Sequence, residues 1–76
     1  MKQYEIRLKP KEKEKFIAVA KAKLEQLDWQ YSDLAEATGY KLSSIYQFFS
    51  EKGGYPNRFL AAKIANVLGI ERREWK

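Results

Sequence analysis

The chain contains no cysteine and no histidine. Without cysteine there is no disulfide, no thiolate nucleophile and no cysteine metal site, and a reducing compartment is permitted. Without histidine, the usual general base and the usual metal ligand are both missing. No apolar run approaches the roughly 20 residues that span a bilayer, and the N-terminus lacks the apolar stretch of a secretion signal. A phosphate-cradling glycine loop is missing too, since Gly53-Gly54 has the wrong spacing and reads as a turn. No nucleophile–base pair stands in its place. These absences argue against an enzyme, and no cofactor, metal or small-molecule substrate is expected. A soluble, cytoplasmic chain is the expectation.

What the chain has is length for one domain and apolar content for a helical core. Its 76 residues are 45% hydrophobic and include eleven aromatics. A chain this short buries only about 60% of its unfolded surface, so its stability rests on few contacts. The formal charge of +5 and pI near 9.5 suit a polyanionic partner. That charge is unevenly placed. Residues 1–15 carry six bases against three acids, and residues 51–76 carry the same. Residues 16–28 balance, and residues 29–50 set Lys41 against Asp33 and Glu36. Electrostatic attraction therefore comes from the two ends.

Residues 1–9 alternate, with Tyr4, Ile6 and Leu8 on one side and Glu5, Arg7 and Lys9 on the other. Period two predicts a strand with one buried face. No second strand signal follows, so the strand either pairs with another copy of the chain or is an arm lying on its own domain. Pairing between subunits is the favoured of the two. Pro10 suits the first turn of a helix, with Glu12 and Glu14 at its positive end. The stripe Phe16, Ile17, Ala20, Leu24 and Leu27 carries that helix to about residue 27. The KEKEK run at its start reads as a solvated face laced with charge pairs.

Residues 31–49, YSDLAEATGYKLSSIYQFF, carry most of the functional signal. Ser32 is the expected cap of a short helix over residues 33–38, without a full capping box. Gly39 can take the left-handed φ that closes it. Ala35, one turn earlier, is small enough to let a following helix cross closely. A third helix is predicted over residues 43–50, with Ser43 as its cap and Ile45 and Phe48 inward. Two short helices joined by so brief a turn make a helix-turn-helix, which presents its second helix to a DNA major groove. Residues 51–56 form a loop. Asn57 then caps a fourth helix with the stripe Phe59, Leu60, Ile64, Val67 and Leu68. Gly69 ends it with Ile70 positioned for a Schellman contact. ERREWK can begin a fifth helix with Trp75 packed back on the core.

Leu34, Ala35, Gly39, Tyr40, Ile45 and Phe48, followed by Pro56 and AAKIANVLGI, resemble the Cro/CI-type helix-turn-helix family of phage and bacterial regulators. The resemblance spans roughly residues 16–70. It implies an all-α, four- to five-helix lambda-repressor-like domain over residues 10–76, preceded by the strand or arm of residues 1–9. It also implies a regulator of phage or mobile-element type that binds double-stranded DNA sequence-specifically, often as a dimer on a palindromic operator. By the same resemblance, base contacts fall on Leu42, Ser43, Ser44 and Gln47, with Tyr46 at the edge. Gln47 is the foremost of these, since its amide can pair with the N6/N7 edge of adenine. Phosphate contacts fall on Gln30, Tyr31, Lys41, Lys52, Asn57 and Arg58, helped by helix N-termini.

Three features depart from the family pattern. Leu42 stands where a polar reader is common, Phe49 where a polar residue is usual, and the loop over residues 50–54 is longer than the family's typical loop by about two residues. The third helix has no Arg, the usual reader of guanine. The competing function is a protein-binding module on the same fold, using the aromatic-rich third helix and the N-terminal strand. Salt separates the two, because DNA binding releases counterions and weakens steeply as salt rises.

Overall fold

A computed structural model describes residues 5–50 and 57–76, which form five helices and, among these residues, no strand. Helix α1 spans Pro10–Leu27, α2 Tyr31–Thr38, α3 Leu42–Phe49, α4 Arg58–Leu68 and α5 Arg72–Trp75. Each boundary has a local cause. The Lys9 N–H donates to Glu12 Oε1 at 3.0 Å and Pro10 occupies the first helical position, so α1 starts there. Asp28 ends it in the left-handed region at φ 57°, with the Trp29 N–H reaching back to the Leu24 carbonyl at 2.9 Å. Gly39 and Gly69 close α2 and α4 at φ 78° and 70°. The Ile70 N–H bonds the Ala65 carbonyl at 2.8 Å, and Ile70 is buried, which completes the expected Schellman ending.

Two caps differ from expectation. Helix α2 is capped by Gln30, whose N–H donates to Asp33 Oδ2 at 2.8 Å, so Ser32 lies inside the first turn. The acid three residues beyond the cap supplied the signal that the Ser32 assignment overlooked. Helix α3 begins one residue early, with Lys41 as its cap and Ser43 inside the first turn. Here the entry is fixed by packing. Tyr40 before the cap is half-buried and Ile45 four positions into the helix is fully buried, the spacing of a hydrophobic staple. Trp29 with Leu34 and Ile70 with Trp75 repeat that spacing at α2 and α5.

The core is centred on Phe16, which has no exposed surface. Its ring meets Phe48 of α3 edge-on at 5.8 Å and Trp75 of α5 edge-on at 6.2 Å. Leu34, Ile45, Leu60 and Ile64 are the other large side chains with essentially no exposure. Full burial of each such side chain contributes about 1.5–3 kcal/mol. Helix α5 docks through Trp75 and a 3.5 Å pair between Lys23 and Glu74. The Glu71 N–H, 2.7 Å from Glu74 Oε2, and secondarily Lys23 hold the Glu74 carboxyl below its ordinary pKa. Two stripe positions are solvent-facing after all: Leu27 at the end of α1, 49% exposed, and Phe59 at the start of α4, 48% exposed. Both sit at a helix end, where the rod overhangs the core it packs on.

The N-terminal strand is corrected. Residues 5–9 form neither a helix nor a strand ladder. Ile6 and Leu8 are each 5% exposed and belong to the domain's own core, while the Ile6 N–H donates to the Arg58 carbonyl at 2.9 Å. The alternation therefore reports a segment pressed against its own α4, which buries one side as a strand would without strand pairing. Tyr4, the first member of that alternation, lies outside the described residues, as do Lys52 and the 51–56 loop. The KEKEK run is also less paired than expected. Among the described residues no ion pair forms within it, and Lys13 Nζ instead donates to the Ser50 carbonyl at 3.3 Å, tying α1 to the end of α3.

Candidate nucleic-acid interface

Helix α3 divides cleanly into two halves. Ile45, Phe48 and Phe49 are buried, whereas Leu42, Ser43, Tyr46 and Gln47 are exposed and Ser44 is half-buried. The exposed residues form two rows at i, i+4 spacing, an apolar row of Leu42 and Tyr46 beside a polar row of Ser43 and Gln47. The side chains of Ser43 and Gln47 make no hydrogen bond among the described residues and so remain available to a ligand. The turn beneath them is firmly built. Thr38, buried, places Oγ1 at 2.9 Å from the Leu34 carbonyl and 3.2 Å from the Ala35 carbonyl, and accepts from the Tyr40 N–H at 3.4 Å.

Aromatic contacts join the start of α2 to the exposed half of α3. Tyr31 stacks on Phe49 at 4.9 Å with an interplanar angle of 12°, and meets Tyr46 edge-on at 5.3 Å. Phe49 in turn meets Phe48 edge-on at 5.5 Å. A continuous run of rings thus leads from exposed Tyr46 to Phe16 at the centre of the core. Phe49 is a core residue, 6% exposed, and its departure from the family pattern is explained by the Tyr31 ring that covers it. Sequence reasoning left Phe49 unassigned because a residue at the end of a helix has no periodicity beyond it to fix its face.

The expected phosphate contacts are scattered over three helix starts. Gln30 and Lys41 are exposed caps of α2 and α3, and Tyr31 is half-buried in the ring stack. Asn57 caps α4, with Oδ1 accepting from Phe59 N at 2.9 Å and Leu60 N at 3.2 Å. Its oxygen is therefore committed and its amide N–H₂ is the group left to face outward. Arg58 is half-exposed but engaged. Its Nε is 3.1 Å from Glu5 Oε2, and its guanidinium carbon lies 5.2 Å from the centroid of the Phe59 ring. Glu5 also pairs with Arg7 at 3.3 Å. The Glu5–Arg58 pair, contributed by residues far apart in sequence, had no sequence signal.

A helix-turn-helix family model matches residues 21–75, most of the chain and all of α2 to α5. The chain belongs to the Cro/CI-type helix-turn-helix family. Neither a curated protein nor a solved structure was found to match it. Membership assigns the domain to a class of DNA-binding regulators. Among the described residues, no helix is long and apolar enough to cross a membrane.

Proposed function

We propose that this helix-turn-helix domain is a sequence-specific transcriptional regulator that lays α3 in the major groove of double-stranded DNA. The observation that carries the reading is the division of α3 into a buried half and an exposed half whose Ser43 and Gln47 side chains have no hydrogen-bond partner among the described residues. Gln47 is the principal base reader, its free amide presenting one donor and one acceptor to adenine N7 and N6. Ser43 and Ser44 stand at the start of the helix, where the groove is approached first. Gln30, Tyr31, Lys41, Asn57 and Arg58 contact phosphates, and Lys52 is assigned the same role from the sequence. The attraction that brings the domain to DNA comes from the basic ends, because residues 29–50 carry a small negative charge.

Selection of bound sequences from a random duplex library tests the reading and yields the operator. With that operator, Gln47→Ala is expected to weaken specific binding by about 1–3 kcal/mol and leave binding to unrelated duplex nearly unchanged. Equal losses on both would remove Gln47 as a reader. The alternative of a protein-binding module finds less support. Of the aromatic residues in α3, Phe48 and Phe49 are buried and Tyr46 alone is exposed. A homodimer joined through an N-terminal strand also loses its motive, since Ile6 and Leu8 fill their own core. Sedimentation of the free chain and of its operator complex measures whether two copies assemble, and on which species.

A further inference from the structure

In the first row on α3, Leu42 has no hydrogen-bonding group and Tyr46 has only its phenolic hydroxyl beyond an apolar ring. Leu42 is 39% exposed and Tyr46 is 55% exposed, one turn apart on the half of the helix that lies outside the core. Tyr46 is held in place by the edge-on contact with Tyr31, itself stacked on buried Phe49. An apolar ridge so placed is costly to press against a groove edge made of donors and acceptors, because those groups lose water and gain nothing. The apolar feature that a B-DNA base pair of the four standard bases offers in the major groove is the C5-methyl of thymine. The polar row alongside points to the same base pair. Gln47 suits adenine, and α3 carries no Arg for guanine.

Resting on the DNA-reading role above, we infer that Leu42 and Tyr46 are specificity-determining residues that read thymine methyl groups, and that the half-site is rich in A·T pairs. Tyr31 is a positioning residue, acting through the Tyr46 ring. Each buried methyl should favour thymine over an unmethylated pyrimidine by about fourfold in affinity.

The test uses the full chain and the operator recovered from the random library, with deoxyuridine replacing thymine one position at a time. Deoxyuridine keeps every hydrogen-bonding group and removes only the methyl. The expected result is a loss of about fourfold at one or two positions, abolished at one of them in Leu42→Ala and at the other in Tyr46→Ala. Both side chains are exposed, and circular dichroism checks that each variant folds. Tyr31→Phe, which keeps the ring, should retain the effect that Tyr31→Ala reduces. Unchanged affinity at every substituted thymine, with Gln47→Ala still relaxing the site, would overturn methyl readout and leave DNA reading intact. A library that yields no bound sequence would overturn the DNA reading and this inference with it.

Discussion

The α2–turn–α3 unit and the pairing of residues 5–9 with the start of α4 solve opposite problems. The first carries shape with little net charge. The exposed half of its α3 is two neutral rows, and Asp33, Glu36 and Lys41 leave the unit slightly negative. The second carries charge that is paired yet still exposed. Arg58 is tied to Glu5 and laid over Phe59, while Ile6 and Leu8 are driven into the core beneath. On the proposed DNA-reading role, attraction to a polyanion and discrimination among sequences fall to different parts of the molecule. Charge near the ends can be strong and unspecific, because phosphates are everywhere on the duplex. The reading surface can then be weakly charged, so that a wrong sequence is not held by Coulomb attraction alone.

The sharpest way to break this comparison is to remove the arm. If residues 1–9 were only an appendage, their deletion would leave the helical domain intact. Because Ile6 and Leu8 are each 5% exposed, truncation is instead expected to cost about 3–6 kcal/mol, most of the stability of a domain this small. A thermal melt of the truncated chain measures it, and an unchanged melting temperature would return the segment to the status of a loose arm.

The reading unit is probed next through its turn. Gly39→Val is expected to destabilise by about 1–2 kcal/mol, since a branched residue is penalised at φ 78°. A Cβ there meets nothing within 4 Å, so the loss comes from backbone conformation and not from a clash. Gly39→Asn should lose less than Gly39→Val, because Asn tolerates left-handed φ. Equal losses in chemical denaturation would point to packing after all.

Smaller effects sharpen the division of labour. Arg58→Ala should lower affinity about equally for all duplexes and reduce the salt slope by about one. Glu5→Gln frees Arg58 from its partner and should raise affinity for any duplex, by up to about fivefold at low salt. A change in sequence preference in either variant would show that the two functions are not separate.

The smallest expected effect is at α5. Glu74 has its carboxyl pKa lowered in the folded chain, so its contribution is complete above the ordinary value of a free glutamate. That contribution is lost as pH falls through the lower folded value. Tryptophan fluorescence followed through the acid range should show Trp75 loosening there, and Glu74→Gln should remove that dependence.

How much of this was legible in the sequence depends on how local the cause is. Helix boundaries set by Pro10, Gly39, Asn57 and Gly69 were readable, because a fixed φ, a permitted left-handed φ or a capping oxygen acts within a turn of the residue that carries it. The inward residues Ile45, Phe48 and Ile64 were readable too, from spacing on a helix of known period. The caps at Gln30 and Lys41 were missed. Each depends on a neighbour, the Asp33 carboxylate in one case and the packing of Tyr40 and Ile45 in the other.

The sequence by itself determined the helical segments, the sharp turn between α2 and α3, and the uneven distribution of charge, since each follows from residue chemistry over short distances. Tertiary structure decided the rest. It turned an alternating segment inward onto α4, buried Phe49 under Tyr31, set the Tyr46 ring edge-on to Tyr31, and gave Glu5 the guanidinium of Arg58. All of these join residues distant in the chain, and their geometry exists only after the helices have packed. Periodicity tells which side of an element is buried, but only packing tells what covers it.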